Sequence, residues 1–227
     1  PLKTFTENVE IPLRHLSLLR EINFDGHYIY ITSDRAIAPN KNQDILNNIK
    51  IKNDPYGASK LFSELLIHYS LGLSETKTTM LRFPNLYGVG QKSGQLLPTI
   101  FNKISEGTLN IRINSFKGNR NYLHVEDATD AILNFIQRPL EKDELCISGE
   151  NIEITYILEN IKIMFNKLTG DELNFFEKKN ADRRNLFLLP PKVLDDQIFR
   201  QSYNWKPRVK IEQGLLELLQ NGVNNAS

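Results

Sequence analysis

Short apolar runs alternate along the chain with longer segments whose apolar residues recur at helical spacing. Strands are predicted at residues 28–32, 78–83, 122–125 and 144–148. Helices are predicted at residues 4–22, 56–73, 96–106, 126–137, 154–168, 192–200 and 211–220. Strands that alternate with helices are typical of a parallel sheet covered by helices. The order therefore predicts an α/β fold, with a smaller lobe formed by the irregular last third of the chain.

The composition excludes several classes of function. The 227-residue chain has a net charge of +1, which argues against the strongly basic surface typical of nucleic-acid-binding proteins. Cys146 is the only cysteine, so neither an internal disulfide nor a cysteine-based metal site is expected, and a reducing, cytoplasmic location is favoured. The four histidines lack HxxxH or HExxH spacing, and no metal site is predicted. No apolar run approaches the ~18 residues of a membrane-spanning helix.

Tyr56 and Lys60 stand four residues apart in a predicted helix, within Tyr-Gly-Ala-Ser-Lys. At this spacing both side chains leave the same helix face. A cation beside a phenol favours the phenolate, so the spacing predicts a Tyr56 pKa below its usual value of about 10. Such a tyrosine exchanges protons with a sugar or alcohol hydroxyl. With 8 Tyr and 28 Lys+Arg the spacing also arises by chance, so its meaning depends on the residues around it.

Polar residues follow two predicted strands, at the edge where open α/β sheets bind their ligands. Thr32, Ser33 and Asp34 end the first strand. The Ser33 hydroxyl suits a hydrogen bond to a substrate oxygen and Asp34 suits proton exchange, although a Ser–Asp pair that caps a turn is the simpler interpretation. Asn85 follows the second strand. It either forms an Asx-turn or offers its amide to a phosphate or sugar hydroxyl.

Two arginines further along the chain are candidate anion ligands. Arg120 precedes the predicted strand at 122–125, and Arg183 lies in a charged cluster. A guanidinium suits bidentate contact with phosphate, while a solvated surface arginine is the alternative at both positions. Glu126 and Asp127 are interpreted as carboxylates at a helix start, where the helix dipole favours them.

Taken in order, these segments resemble the extended short-chain dehydrogenase/reductase family, specifically its NAD-dependent nucleotide-sugar epimerases and dehydratases. The matching residues are Asn8, Ser33, Tyr56, Lys60, Arg82, Asn85, Tyr87, Gly88, Arg120 and Asp127, followed by Trp205, Pro207, Gly214 and Leu215. The resemblance runs from about residue 4 to residue 219.

The resemblance implies an incomplete Rossmann-like doubly wound parallel sheet with a smaller C-terminal α/β substrate lobe. Residues 1–90 would form the remaining part of the nucleotide-binding domain. Residues 91–227 would form mainly the substrate-binding lobe, with the chain crossing back to the sheet near 120–150. A homodimer through the helices around 4–22 and 56–73 is also implied.

The resemblance also implies roles for individual residues. Tyr56 would remove or return a sugar hydroxyl proton as hydride moves to or from a nicotinamide. Lys60 would lower the pKa of Tyr56 and hydrogen-bond the nicotinamide ribose. Ser33 would bind the reacting sugar hydroxyl, and Asn8 would support these groups through a water relay.

The remaining implied contacts concern the cofactor, NAD or NADP, and a nucleotide-sugar substrate. Residues implied beside the nicotinamide are Thr32, Phe83 and Pro84. Residues implied at the substrate diphosphate are Asn85, Arg120 and Arg183. Asp34 fits the general acid of a dehydratase and weighs against the simplest epimerase, whereas Arg35 does not fit because a guanidinium keeps its proton.

The sequence departs from the family at the phosphate-binding loop. Family members open with a strand, a G-x-x-G-x-x-G turn and a helix that holds the dinucleotide pyrophosphate, and no segment here matches it. We therefore expect a fragment that is not active alone. The leading function is an NAD(P)-dependent nucleotide-sugar epimerase or dehydratase acting through a transient keto-sugar. The alternatives are a reductase of a nucleotide-linked keto-sugar and a non-catalytic binding or scaffold remnant of the same fold.

Overall fold

The computed structural model describes residues 2–36, 54–71, 76–92, 94–178 and 194–224 of the chain. Helix α1 is Leu2–Phe5, and it continues through a π-helical segment, Thr6–Glu10, into α2, Ile11–Glu21. Strand β1, His27–Ser33, leads into a 3-10 turn, Asp34–Ala36. The later elements are α3 (Pro55–Leu71), β2 (Lys77–Phe83), β3 (Asn85–Tyr87), α4 (Leu96–Ser105), β4 (Asn110–Ile113), β5 (Asn119–His124), α5 (Val125–Gln137), β6 (Glu144–Cys146), β7 (Glu150–Glu153), α6 (Ile154–Thr169), β8 (Asn174–Glu177), α7 (Gln197–Tyr203) and α8 (Ile211–Asn224).

The chain divides into two compact units, each built from three separate stretches. The first unit comprises Pro1–Pro84, Asn134–Ile147 and Leu194–Trp205. The second unit comprises Asn85–Leu133, Ser148–Val193 and Lys206–Ser227.

The first unit is a parallel sheet with helices on both faces. Its described strands lie in the order β1-β2-β6, and both pairings are parallel. Because strand side chains alternate between faces, Tyr28 and Tyr30 point to one side and His27 to the other. On the first side, the two tyrosines pack against a core formed by Leu16, Ile67, Leu71 and Met80, which brings in α2 and α3. On the other side the His27 ring meets Phe135 of α5 edge-on at 5.5 Å. The predicted Rossmann-like parallel arrangement is confirmed.

A buried ion-pair network ties α3 to the sheet in this unit. Arg82 of β2 is only 12% exposed and bonds Glu64 of α3 through two nitrogens, at 3.2 and 2.6 Å. A third nitrogen lies 2.6 Å from Glu144 of β6. Removing one member of such a pair leaves a buried charge uncompensated, which is far costlier than losing a surface ion pair.

The second unit contains two small sheets around one apolar core. In the described residues β3 pairs with β5 in parallel, β5 with β7 in antiparallel fashion, and β4 with β8 in parallel. Helices α4, α6 and α8 supply most of the core, with fully buried side chains that include Ile100, Ile157 and Leu215. The backbone at Gly149 packs closely against the backbone at Tyr122, since a Cβ at position 149 would lie 1.9 Å from the Tyr122 carbonyl oxygen.

The residues of the C-terminal sequence signature serve packing. Trp205 is buried in the first unit, edge-on to Phe199 at 5.5 Å. In the second unit a Cβ at Gly214 would lie 2.5 Å from the Tyr87 ring, so only glycine fits without a shift.

Asp127 is 1% exposed and accepts the backbone N–H groups of Arg208 and Val209, both at 3.0 Å. It lies in the first turn of α5, as predicted, and also holds a distant segment.

The predicted elements recur with modest shifts, and four short strands were missed. These are β3, β4, β7 and β8, each of three or four residues, which is too short for a periodic pattern to stand out. Strand β5 begins at Asn119 rather than near 122, because its first residues are the polar Asn-Arg-Asn. Helix α7 begins at Gln197 and ends at Tyr203, later than the predicted range 192–200.

Candidate active site

Two parallel strands bring the predicted hydroxyl and turn residues to one edge of the first unit. The register places Ser33 opposite Phe83, so Asp34 and Pro84 both follow directly at the carboxyl end of the sheet. Thr32 is 5% exposed, and its Oγ1 is buried without a hydrogen-bond partner among the described residues. A buried hydroxyl without a partner is costly, and it marks a place where a ligand's polar group is favoured.

Helix α3 presents Tyr56 and Lys60 in its first two turns. The helix begins at Pro55, where proline's missing N–H costs nothing, and Asp54 accepts the Gly57 N–H at 2.9 Å. The Lys60 Nζ lies 6.0 Å from the Tyr56 ring centroid and 5.3 Å from that of Tyr30. The ammonium therefore lies between two aromatic rings, at cation–π distance from each.

A hydrogen bond joins the side chains of Ser33 and Tyr56. The Ser33 hydroxyl also donates to Asp34 Oδ1 at 3.0 Å and accepts the Arg35 N–H at 3.2 Å. Ser33 is 8% exposed, whereas Tyr56 is 41% exposed. The Ser33 hydroxyl is thus held by hydrogen bonds to the two residues that follow it, while the Tyr56 phenol is more exposed to solvent.

The pKa of Tyr56 is raised, opposite to the direction predicted from the Tyr56–Lys60 spacing. Partial burial is the main cause, the Ser33 hydrogen bond opposes it, and the charge of Asp34 adds to it. Burial lowers the pKa of Lys60 itself. The expected lowering fails because burial outweighs the groups that lower this pKa, which are the Ser33 hydrogen bond and the charge of Arg35. In the described structure Tyr56 is a phenol at neutral pH, the form that donates a proton.

Asn8 joins the site through the π-helical segment. Its Nδ2 donates to Ser59 Oγ at 3.1 Å, and Ser59 Oγ donates to the Tyr56 carbonyl at 2.8 Å. The Asn8 carbonyl accepts the hydroxyls of Ser63 and of Tyr30, the latter at 3.5 Å. Short π-helical segments occur frequently at functional sites because they expose backbone groups to other partners.

Sequence reasoning missed Tyr30, Ser59 and Ser63 as members of this cluster. Ser59 and Ser63 are fully buried and one turn apart on α3. Two small hydroxyl residues at i and i+4 lie on one helix face, and this spacing was the sequence pattern that could have predicted a buried polar cluster there. Tyr30 lay in a run interpreted only as a buried strand.

The residues predicted at the substrate diphosphate belong to the second unit or lie outside the described residues. Asn85 Nδ2 donates to the Asn121 carbonyl at 3.0 Å, and Arg120 Nη1 donates to the Asn119 carbonyl at 2.9 Å. Paired strands β3 and β5 carry these two residues. Arg183 lies outside the described residues.

The described ranges contain neither a metal-binding cluster nor a membrane-spanning helix. No group of three or more His, Cys, Asp or Glu side chains there is arranged to hold a metal ion. No helix within those ranges has the length and apolar character needed to cross a bilayer.

Comparison with known proteins extends these observations. The profile of the NAD dependent epimerase/dehydratase family matches residues 1–153. A curated relative, the dTDP-4-dehydro-6-deoxyglucose reductase of Escherichia coli, is 26% identical over 171 residues, which cover 73% of this chain and 51% of the relative. The chain thus spans about half the length of that relative.

Solved structures share the fold at low identity. The structure of RMD from Pseudomonas aeruginosa complexed with NADPH has a TM-score of 0.75 at 20% identity, covering 97% of this chain and 74% of that one. UDP-glucuronic acid 4-epimerase from Bacillus cereus, in complex with UDP-glucuronic acid and NAD, has a TM-score of 0.75 at 18% identity, covering 96% and 67%. The match over residues 1–153 establishes that this chain belongs to the NAD dependent epimerase/dehydratase family.

Proposed function

We propose that this chain carries the proton-transfer half of an NAD(P)-dependent nucleotide-sugar epimerase or dehydratase, which works through a transient keto-sugar and is not active alone. The observation that carries the proposal is the meeting of Ser33, Tyr56 and Lys60 at the carboxyl end of the first unit's sheet. A hydroxyl, a phenol and an ammonium within one cluster provide the groups that alcohol–ketone interconversion requires.

Each residue of the cluster has a distinct task in this proposal. Tyr56 exchanges a proton with the sugar oxygen, as general base during oxidation and as general acid when the ketone is reduced. Ser33 holds the same sugar oxygen, because its hydroxyl is already within hydrogen-bonding reach of the phenol. Lys60 supplies positive charge next to the developing phenolate. General acid–base catalysis of this kind contributes about 10²–10⁴-fold in rate.

The residues present fit the nicotinamide ribose end of NAD or NADP. The orphaned Thr32 hydroxyl and the Lys60 ammonium offer polar groups for ribose oxygens. Phe83 and Pro84 form the adjacent turn that would border the nicotinamide. When bound, the cofactor supplies the hydride acceptor and donor.

The substrate side of the proposal rests on the second unit. Asn85 and Arg120 would hold the diphosphate of the nucleotide sugar together with Arg183, since amide and guanidinium groups suit phosphate oxygens. Helices α2 and α3 would form a homodimer interface, supported by exposed apolar side chains that include Leu18, Phe62 and Tyr69. A cytoplasmic location is proposed from the single cysteine, Cys146.

A keto-sugar reductase is the second candidate function. Tyr56 is protonated at neutral pH in the described structure, and a phenol is the form that donates a proton to a ketone oxygen. The curated relative is itself a reductase. Stoichiometric loss of NADPH with a keto-sugar substrate would identify the reductase, whereas redox-neutral turnover identifies the epimerase or dehydratase.

Complementation tests the proposal. The chain is co-expressed with a segment that carries a strand, a G-x-x-G-x-x-G turn and a helix, taken from the sequence upstream or from the reductase relative, and turnover of nucleotide sugars is measured. Tyr56→Phe is expected to lower turnover about 10²-fold or more. Tyr156→Phe is the matched control, because Tyr156 is 44% exposed, much as Tyr56 is, and belongs to neither the candidate site nor the proposed dimer interface. Equal turnover in both variants would refute a catalytic Tyr56.

Cofactor binding separates the enzyme from a scaffold remnant. NAD(H) affinity is measured by fluorescence or calorimetry on the chain alone and on the complemented protein. Affinity that appears on complementation and falls in Lys60→Met supports the proposal. A complemented protein without measurable affinity favours the scaffold.

A further inference from the structure

An ion pair links the turn after β1 to the start of α3. Arg35 Nε and Nη2 lie 2.7 and 2.5 Å from the same oxygen, Oδ2 of Asp54. The other oxygen of Asp54, Oδ1, accepts the Gly57 N–H at 2.9 Å. The two side chains are 29% and 14% exposed, so the pair is shielded better than a typical surface ion pair. A single carboxylate therefore caps α3 and binds the guanidinium at the same time.

This pair lies directly beside the candidate catalytic groups. Arg35 is two residues after Ser33, and its backbone N–H donates to the Ser33 hydroxyl at 3.2 Å. Asp54 is two residues before Tyr56. The ion pair thus joins the segment that contains Ser33 to the segment that contains Tyr56, although Arg35 and Asp54 are 19 residues apart in sequence.

Gly57 provides an independent sign that the two segments approach closely. A Cβ at this position would lie 2.6 Å from Asp54 Oδ2 and 2.8 Å from the Arg35 carbonyl oxygen. Real Cβ atoms essentially never make contacts below 3.0 Å, so any larger residue at position 57 would force the two segments to shift. The glycine inside the Tyr56–Lys60 motif thus permits the contact.

We propose that Arg35 and Asp54 are positioning residues, which clamp the end of β1 to the start of α3 and thereby hold the Ser33 hydroxyl against the Tyr56 phenol. A guanidinium bound through two nitrogens fixes both distance and orientation, which a lysine does not. The significance of the clamp for catalysis rests on the proposed function, but its existence and its effect on Tyr56 do not.

The clamp also sets the charge that Tyr56 experiences. The charged groups that act on the phenol are Asp34, Arg35 and Asp54, with Lys60 over the ring from its own helix. Asp34 and Asp54 raise the pKa of Tyr56, and Arg35 lowers it. Through charge alone, loss of Arg35 raises the Tyr56 pKa and loss of Asp54 lowers it, whereas release of the Ser33 hydroxyl raises it in both cases.

The test is a tyrosine titration of the 227-residue chain, labelled with ¹³C at the tyrosine ring and followed by NMR. The chain contains 8 tyrosines, and comparison with Tyr56→Phe assigns the signal. Arg35→Gln is expected to raise the Tyr56 pKa, because both the cation and the Ser33 hydrogen bond that it positions lower this pKa. In Asp54→Asn the lost charge and the lost positioning oppose each other, so a smaller shift is expected. Lys77→Met is the control, because it removes an exposed ion pair elsewhere in the first unit. An Arg35→Gln shift no larger than in the control overturns the proposal.

Coupling to Ser33 distinguishes positioning from charge alone. If the clamp holds the serine in place, Arg35→Gln shifts the Tyr56 pKa less in a Ser33→Ala background than in the native chain. Equal shifts in both backgrounds would mean that Arg35 acts only through its charge, and the positioning role fails.

A conservative variant covers loss of folding. Should Arg35→Gln fail to fold while Lys77→Met folds, Arg35→Lys replaces it. Because lysine keeps the charge but not the orientation, Arg35→Lys is expected to raise the Tyr56 pKa in the native chain and not in a Ser33→Ala background, and an unchanged pKa in the native chain refutes the positioning role. None of these readouts requires turnover, so failure of the clamp and failure of the proposed enzyme are distinguishable.

Discussion

Asp127 is expected to be the most sensitive carboxylate of the second unit. Each of its oxygens accepts one backbone N–H, from Arg208 and Val209, and the side chain is 1% exposed. Asp127→Asn keeps the shape but turns an amide N–H toward one of these donors. The loss of one charge-assisted bond, with one donor left unpaired, costs about 1.5–3 kcal/mol. Asp127→Ala leaves both donors unpaired and costs about 2–6 kcal/mol.

Asp130 provides a matched control one turn along α5. It pairs with the Arg208 side chain at 2.9 Å, but the two side chains are 33% and 69% exposed. Removal of such an exposed pair by Asp130→Asn is expected to cost less than about 1 kcal/mol. The two variants remove the same charge from the same helix and differ only in burial and in the groups that they leave unpaired.

Urea unfolding followed by far-UV circular dichroism measures the difference. With a denaturant slope of about 2–3 kcal/mol per M, Asp127→Asn is expected to lower the midpoint by about 0.5–1.5 M. Asp130→Asn is expected to shift it by less than about 0.5 M. Equal midpoints for the two variants would refute the claim that Asp127 anchors the segment around residue 208.

Three further outcomes follow from single residues. Burial and the charge of Lys77 lower the pKa of His27 below 6.5, so the unfolded chain binds more protons than the folded chain and stability falls as the pH drops through 6.5. His27→Gln is expected to flatten this pH dependence, measured as urea midpoints from pH 8 to 5. His15→Gln, at an exposed position, is expected to leave it unchanged. Gly149→Ala is expected to destabilise the chain by more than about 2 kcal/mol in thermal melts, because its Cβ meets a backbone carbonyl. Burial raises the pKa of Cys146 to about 11, so its thiol reacts with iodoacetamide far more slowly at pH 8 than free cysteine.

The local pattern placed Ser33 at a strand end and Tyr56 at a helix start, and the structure has both at these positions. Their selection as candidate site residues depended in addition on the order of the segments, which resembles the family. The direction of the Tyr56 pKa was not predictable, since it depends on how far the fold buries the phenol and on the charges of Asp34, Arg35 and Asp54 around it.

Contacts between distant segments were also invisible to sequence reasoning. Asp54 was not singled out as a candidate residue in the sequence, yet it caps α3 and binds Arg35, 19 positions away. Asp127 was correctly interpreted as a helix-start carboxylate, but its bonds to residues 81 and 82 positions away required the fold. Such pairings depend on chain topology, which residue periodicity does not encode.

The unpaired side of β1 has a practical consequence for handling the protein. Within the described residues this seven-residue strand bonds β2 on one side only, and Ile31 is 40% exposed. An open strand edge is a template onto which other chains add strands, the first step of β-aggregation. The concentration at which the purified chain begins to aggregate is therefore expected to be low, and a short peptide that occupies this edge would raise it.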